Sequence, residues 1–218
     1  MEQPRPADAM TLRLYGSRRS RAAIVRWYLE EKGIPYSLVE LDVQAGEHRQ
    51  EPFTRINPFA KMPALVDDAL TLADGTPLAL FESGAILLHL AEHYGEEFRS
   101  ERGGGSAAGT SQGAVVRSLT AQWVLYANST LATAMFQSAS RSEDLERQLG
   151  VLDGLLAGGG SLVTGRTDWG AADCAVQAYL AYLPIFCSSI DLTPWPHVRT
   201  TIDATRARPA YQRANEPA

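Results

Sequence analysis

Two short segments carry the residue types best suited to binding a small charged ligand: Lys61-Met62-Pro63 and Glu82-Ser83. Ser83 opens an apolar helical pattern, and serine is a preferred residue at the N-terminal cap of a helix. A helix N-terminus presents unpaired N–H groups and a partial positive charge, so it can hold a carboxylate. The second segment therefore predicts a carboxylate site.

The first segment places a proline where a strand begins. Strands tolerate proline at their first position because no ladder hydrogen bond is needed there. If the bond between Met62 and Pro63 is cis, the Met62 N–H and C=O face outward and can pair with an extended ligand backbone. A strand edge for a peptide would then lie beside a helix end for a carboxylate. Together the two segments predict a site for a short anionic peptide.

The elements that must position these residues alternate between strand and helix patterns. Strands are predicted at 12–15, 36–41, 64–66 and 78–81, and helices at 21–32, 48–53 and 83–94. Asp74-Gly75 lies between the last two strands and is a strong hairpin signal. A βαβ unit, a helix and a ββα unit in this order form the thioredoxin-like arrangement, in which the parallel strands need a crossover helix.

The second half of the chain has a different composition. Residues 97–113 are rich in Gly and Ser, which predicts a flexible linker, and no Gly-Lys-Ser/Thr follows as a phosphate loop would require. Apolar residues then recur at helical spacing over 115–136, 145–156 and 174–186. We therefore predict an α/β domain at 10–96 and an all-helical domain at 114–218.

The segments INPFAKMPALVDD and LFESGAILLHLAEHYG resemble the glutathione-binding half of the soluble glutathione transferases. The resemblance is specific because two separated segments match in order and spacing. VRWYLEEKGIPY and QAGEHRQEPF are most similar to the chi class of cyanobacteria. The resemblance implies a homodimeric enzyme of detoxification, which conjugates the thiolate of its co-substrate glutathione to small apolar electrophiles.

The resemblance also implies which residues hold glutathione. Ser83 and the helix N–H groups would take the γ-glutamyl carboxylate, while Glu82 would pair with the ammonium group. The peptide backbone would lie along Met62 and Pro63. His48 and Lys61 are the candidates for the glycine carboxylate at the other end.

Several residues at the start of the first helix are candidates for activating the thiol. Serine-type classes of the family place a hydroxyl there, but Arg19 stands at that position, with Ser20 after it and Ser17 before it. Either Ser20 donates a hydrogen bond to the sulfur, or the Arg19 guanidinium stabilises the thiolate by charge. The third interpretation is a solvated basic rim formed by Arg18, Arg19 and Arg21.

The family layout places the electrophile pocket near the Ser17–Arg19 loop, Trp123, Tyr126 and Phe136. Two other functions stay open. Because Arg19 replaces the serine, the chain could be a non-catalytic protein that binds glutathione or another ligand. A glutathione-dependent peroxidase is also consistent, since peroxide reduction by bound glutathione needs no cysteine in the first domain.

Composition narrows the class of protein and its partners. The chain has 218 residues, 45% of them apolar, and a formal net charge of −5, which indicates a globular protein and argues against a nucleic-acid surface. No run approaches the roughly 20 apolar residues of a membrane span. The first residues, MEQPRPADA, lack the apolar core of a secretory signal, so we expect a cytoplasmic location.

Two remaining patterns predict structure rather than chemistry. Cys174 and Cys187 lie on apolar helical segments and are expected to be buried thiols. His89 and His93 form the letters of an inverted zinc-protease signature, but two histidines four apart recur by chance on amphipathic helices. No metal is expected.

Overall fold

The computed structural model describes residues 11–17, 20–98, 107–137, 142–163 and 168–216. Its first part contains one four-stranded sheet formed by β1 (Leu12–Gly16), β2 (Ser37–Glu40), β3 (Ala64–Thr71) and β4 (Pro77–Phe81). The strand order is β2-β1-β3-β4. β1 pairs parallel to β2 and antiparallel to β3, and β3 forms a hairpin with β4. This is the predicted thioredoxin-like sheet.

Helices accompany the sheet and then form the rest of the chain. The helices of the first part are α1 (Ala22–Lys32), α2 (Phe53–Ile56) and α3 (Ser83–His93), with a 3-10 turn at Glu47–Arg49. Those that follow are α4 (Ala107–Leu125), α5 (Ala132–Phe136), α6 (Ser142–Leu156), α7 (Ala171–Phe186), α8 (Pro196–Ala207) and α9 (Pro209–Asn215). A thioredoxin-like domain followed by a helical region confirms the predicted fold class.

The predicted helix over 115–136 is interrupted. A π-helical segment at Tyr126–Leu131 separates α4 from α5, so the backbone there is wound more widely than in an α-helix. Helix α8 was not predicted from the sequence, although Pro196 stands at a first-turn position that favours a helix start.

The flexible-linker prediction is wrong for residues 107–113, because α4 begins at Ala107. Gly113 is buried, and a Cβ atom there would lie 2.7 Å from the Phe98 carbonyl oxygen. This glycine therefore permits close packing of the helix rather than flexibility. The domain boundaries themselves stay predictions.

Helix α1 joins the two parts of the molecule. Its apolar face, including Trp27 and Tyr28, is fully buried, and it ends at Gly33 in the left-handed conformation. On its other side lies α9, where Arg213 donates to Glu30 at 2.8 Å and the Trp27 and Tyr211 rings meet edge to face. Helix α9 thus packs against the helix whose N-terminus faces the candidate site.

A second link between the two parts passes through Glu97, which is buried. The Tyr28 hydroxyl donates to its Oε1 atom at 2.6 Å, and the Ala171 N–H at the start of α7 donates to the same atom at 2.9 Å. Asp173 accepts from the Gly170 N–H at 2.9 Å, as the acid at the third position of a capping box does. The carboxylate of Glu97 thus caps α7 from outside the helix.

The remaining structural predictions concern the cysteines and the membrane. Cys174 and Cys187 are both buried, as predicted, and burial raises the pKa of the Cys174 thiol well above its usual value. Among the helices described, none combines the length and the apolar character that a membrane crossing demands.

Candidate functional site

A cavity of about 340 Å³ lies where the start of α1, the loop before β3 and the start of α3 meet. Its lining residues are Ser20, Arg21, Asn57, Lys61, Met62, Pro63, Glu82 and Ser83. The structure therefore brings both segments singled out from the sequence, together with Ser20, around one cavity. Arg21 and Asn57 are additions that the sequence analysis did not identify as site residues.

The loop before β3 is fixed by Asn57. This side chain is buried, its amide nitrogen donates to the Lys61 carbonyl at 2.6 Å, and its amide oxygen accepts from the Phe59 N–H at 3.1 Å. The bond between Met62 and Pro63 is cis. The Asn-Pro dipeptide at 57–58 is a turn signal that could have identified Asn57 as the residue that shapes this loop.

Glu82 and Ser83 occupy the start of α3 in an unusual geometry. Glu82 has a φ of 68°, a left-handed conformation that costs of order 1–3 kcal/mol in a non-glycine residue, and its side chain is exposed. No side chain caps the helix within the described residues, so the first N–H groups of α3 are available to an anion.

The Ser83 hydroxyl is already engaged. It donates to the side-chain oxygen of Asn128 at 2.8 Å, and Ser83 is only 1% exposed. The prediction that Ser83 helps to hold a carboxylate therefore rests on its backbone N–H, since the hydroxyl hydrogen is already donated to Asn128.

Ser20 lies in the cavity wall, and its hydroxyl hydrogen also has an acceptor. The Oγ atom donates to the Ser17 carbonyl at 2.7 Å and accepts from the N–H groups of Ser17 and Ala22 at 3.2 Å. It caps the start of α1, so donating to a ligand would require its hydrogen to leave the Ser17 carbonyl. Ser17 is not among the lining residues, and Arg19 lies outside the described residues.

A larger cavity of about 520 Å³ adjoins the first and shares Ser20 and Arg21 with it. Its other lining residues are mostly aromatic or aliphatic: Phe136, Tyr179, Tyr182, Ile185, Phe186 and Asn215. Burial raises the pKa of the Tyr179 and Tyr182 hydroxyls, so both stay protonated near neutral pH. This cavity is suited to an apolar molecule.

Of the aromatic residues predicted to form an electrophile pocket, only Phe136 lines this cavity. Trp123 and Tyr126 pack edge to face against each other, and the Tyr126 hydroxyl donates to Gln148 at 3.0 Å. Trp123 and Tyr126 are therefore not part of the lining of the larger cavity.

Arg21 stands at the junction of the two cavities. Its guanidinium carbon lies 5.7 Å from the centre of the Tyr179 ring and 5.9 Å from that of Phe136, within cation–π distance. Across the described part of the chain, no carboxylate forms an ion pair with it. Arg21 therefore offers a positive charge to whatever occupies either cavity.

The remaining predicted residues lie elsewhere. His48 is half-buried in the 3-10 turn and is not among the residues lining the cavity. His89 lies behind the start of α3, where its Nε2 atom is 2.9 Å from the buried Asp67 carboxylate, which also accepts from the Tyr94 hydroxyl. His89 is thus part of a polar cluster with Asp67 and Tyr94.

Comparison with known proteins supports the interpretation of this geometry. Residues 10–92 match the model of the glutathione S-transferase N-terminal domain. Over 97 residues, the chain is 39% identical to the transcriptional regulator URE2 of Saccharomyces cerevisiae, a match covering 44% of this chain and 25% of that protein. The chain thus spans about a quarter of the length of URE2.

Two further matches cover nearly the whole chain. The glutathione S-transferase-like protein OpS6 of Beauveria bassiana is 28% identical over 221 residues, 95% of each chain. A glutathione transferase family member from Pseudomonas fluorescens pf-5, solved with two glutathione bound, has a TM-score of 0.76 and 25% identity, and the match covers 97% of this chain and 95% of that one. Residues 10–92 therefore form a glutathione S-transferase N-terminal domain, and the chain has the glutathione transferase fold.

Proposed function

We propose that this protein is a glutathione transferase that binds glutathione in the smaller cavity and a small apolar electrophile in the larger one. The observation that carries the proposal is the shared wall formed by Ser20 and Arg21, which faces both cavities. A thiol bound beside this wall would lie next to the apolar space that holds its reaction partner. Proximity of this kind is a large part of catalysis in a two-substrate reaction.

The orientation of glutathione follows from the charges around the smaller cavity. The open start of α3 at Ser83 receives the γ-glutamyl carboxylate, and the exposed Glu82 pairs with the ammonium group. The peptide backbone lies along Met62 and Pro63, and Lys61 binds the glycine carboxylate. His48 stays a candidate for that carboxylate as well, although it lies outside the lining of the cavity.

Arg21 is the group best placed to stabilise the thiolate. A free cysteine-type thiol has a pKa of about 8.5, and lowering it by two units takes about 2.7 kcal/mol. Arg21 has no carboxylate partner among the described residues, whereas the Ser20 hydroxyl is donated to Ser17. We assign the charge stabilisation to Arg21, with Ser20 as a hydrogen-bond donor once its hydrogen turns to the sulfur. Ser17 and Arg19 stay candidates from the sequence.

The reaction is nucleophilic attack by the thiolate on an electrophilic carbon. The sulfur–carbon bond forms, the thiol proton goes to solvent, and a leaving group departs with its electron pair where the electrophile carries one. The detoxification role, the assignment to the chi class and the cytoplasmic location are further parts of this proposal.

A homodimer is also proposed, and exposed apolar residues of the described chain support it. Phe59 is 68% exposed and packs edge to face against Phe81, while Leu125 on α4 is 60% exposed. Side chains of this size at the surface favour burial against a second copy.

A non-catalytic glutathione-binding protein is the second candidate. The match to a protein named as a transcriptional regulator favours it, as does the engaged Ser20 hydroxyl. A glutathione-dependent peroxidase is a third candidate that uses the same thiolate.

Two measurements separate these candidates. Isothermal titration calorimetry tests glutathione binding, and conjugation is assayed with a chlorodinitrobenzene, an isothiocyanate and a hydroperoxide. We expect binding together with turnover of the aryl halide or the isothiocyanate. Binding without any turnover would favour the non-catalytic protein, turnover of the hydroperoxide alone would favour the peroxidase, and no binding would overturn all three.

A further inference from the structure

The side-chain amide of Asn128 connects the two cavities. Its oxygen accepts from the Ser83 hydroxyl at 2.8 Å and from the Tyr179 hydroxyl at 3.2 Å. Ser83 lines the smaller cavity and Tyr179 lines the larger one. One oxygen atom of the helical region is therefore shared by a wall residue of each cavity.

The orientation of this amide is fixed from its other side. Its nitrogen donates to the Val124 carbonyl at 3.0 Å, one turn earlier, which directs the oxygen toward Ser83 and Tyr179. Asn128 lies in the π-helical segment Tyr126–Leu131, and such segments often mark functional positions within helices.

The start of α3 approaches this segment closely. A Cβ atom on Gly84 would lie 3.2 Å from both the Asn128 amide nitrogen and a Val124 methyl group. Glycine at this position therefore lets the first turn of α3 rest directly on Asn128. The contact joins the thioredoxin-like domain to the helical region at the point where the smaller cavity is formed.

We propose that Asn128 is a positioning residue, which holds Ser83 for glutathione binding and couples the glutathione site to the wall of the apolar cavity. The inference rests on the proposed function and adds to it a residue that would touch neither substrate. Because the Ser83 hydroxyl donates to Asn128, that bond holds the start of α3 in place, and the backbone N–H groups there face the γ-glutamyl carboxylate.

Removing the shared acceptor should weaken glutathione binding. In Asn128→Ala, the buried hydroxyls of Ser83 and Tyr179 both lose their acceptor, and an unsatisfied buried donor is costly. Asn128→Asp keeps an acceptor oxygen for both donors. Ser129→Ala is the matched control, since Ser129 lies in the same π-helical segment and makes the same kind of bond to the Leu125 carbonyl, but is exposed.

The experiment measures glutathione affinity by calorimetry and the kinetic constants by conjugation, with thermal melting to show that each variant is folded. We expect Asn128→Ala to weaken glutathione binding by about tenfold and to raise KM for glutathione more than it lowers kcat. Asn128→Asp should recover only part of that loss, because it keeps the acceptor but loses the bond to the Val124 carbonyl and adds a negative charge near the γ-glutamyl carboxylate. Ser129→Ala should bind like the wild type. If Asn128→Ala does not fold, the nearly isosteric Asn128→Leu replaces it.

A double-mutant cycle tests the coupling itself. We expect Tyr179→Phe to weaken glutathione binding by at least about twofold in the wild-type background and to have no further effect in Asn128→Ala. If Tyr179→Phe weakens glutathione binding equally in both backgrounds, the coupling is overturned. If folded Asn128→Ala binds glutathione with wild-type affinity, the positioning role is overturned. A wild-type protein that binds no glutathione would instead overturn the proposed function and this inference with it.

Discussion

The guanidinium carbon of Arg21 lies 5.7 Å from the centre of the Tyr179 ring, so a cation of the first domain rests on an aromatic wall of the second. A cation over a ring keeps much of its charge available to a neighbouring anion, because the ring supplies only a quadrupole. This arrangement places positive charge at the boundary between the smaller, polar cavity and the larger, apolar one.

Replacing this cation should raise the pKa of the bound thiol. We expect Arg21→Gln to raise the pKa of bound glutathione by about one unit and to lower kcat about tenfold at pH 6.5, with a smaller loss at higher pH. Arg21→Lys should retain part of the effect. The ultraviolet absorbance of the thiolate, followed against pH, measures the shift.

The matched control for this change is Arg26→Gln. Arg26 lies on the same helix but donates to the Tyr36 hydroxyl and to the Glu216 carbonyl, away from both cavities. The Arg26→Gln substitution should leave the pKa of the bound glutathione thiol unchanged. An equal shift in the two variants, or none in Arg21→Gln, would show that Arg21 does not stabilise the thiolate.

Glu82 should show opposite effects on stability and on binding. Its φ of 68° is unfavourable for a side chain, and glycine tolerates a positive φ better, so Glu82→Gly should raise the free energy of unfolding by about 1 kcal/mol. The same change removes the proposed partner of the glutathione ammonium and should weaken binding about tenfold.

Glu82→Gln is the control, since glutamine has the same unfavourable positive φ as glutamate but carries no charge. It should weaken binding without adding stability. Urea unfolding and calorimetry provide the two measurements. A Glu82→Gly protein that binds glutathione as tightly as the wild type would remove this residue from the proposed site.

The start of α7 has no room for a side chain at Gly170, because a residue distant in the sequence packs against it. A Cβ atom there would lie 2.3 Å from the buried carboxylate of Glu97, which caps α7. We therefore expect Gly170→Ala to lower the free energy of unfolding by about 1–3 kcal/mol. Gly158→Ala, with no atom within 4 Å of its Cβ position, should change it by less than about 0.5 kcal/mol.

Chemical denaturation of the two variants tests this account of the cap. The sequence alone does not show why α7 begins after a glycine, which has no side-chain oxygen to cap the helix. The structure supplies the physical reason. The Glu97 carboxylate caps α7 in place of a side chain of residue 170, and any side chain at that position would displace this carboxylate. Equal stability of Gly170→Ala and Gly158→Ala would contradict this explanation.

His89 should make stability depend on pH. Burial lowers the pKa of His89 below its usual value of about 6.5, and the hydrogen bond to Asp67 opposes this effect. The unfolded chain therefore takes up its proton at a higher pH than the folded protein does. The contribution of neutral His89 to the free energy of unfolding is therefore fully present above about pH 6.5, and it is lost as the pH falls through the folded-state pKa.

Urea unfolding at pH 7.5 and pH 5.5 tests this expectation in the wild type and in His89→Gln. Glutamine can still donate to Asp67 but does not titrate, so the loss of stability at the lower pH should be smaller in the variant. If both proteins lose the same stability, another group is responsible for the pH dependence.

Local signals were sufficient to predict much of the first domain. The hairpin at Asp74-Gly75, the helix ending at Gly33 and the helix starting at Ser83 each follow from residues next to one another in the chain. The residues around the smaller cavity were predicted because two sequence segments meet there in the same order as in a known family.

The features that were missed depend on contacts between distant residues. Gly113 resembles a linker glycine until the Phe98 carbonyl is found beside it. The residues next to Asn128 in the sequence give no sign that its side chain accepts a hydrogen bond from Ser83. The basic run that includes Arg21 resembles a solvated rim unless the Phe136 and Tyr179 rings are known to lie next to it. Such roles are fixed only when the two domains come together.

The most direct test of the central claim is a calorimetric titration of the protein with glutathione, repeated with Lys61→Ala and Glu82→Gln, which change opposite ends of the proposed ligand. We predict one glutathione bound in the smaller cavity, with affinity reduced in each variant. Affinity for glutathione that neither substitution changes would contradict the assignment of that cavity, and the absence of binding by the wild type would contradict the account as a whole.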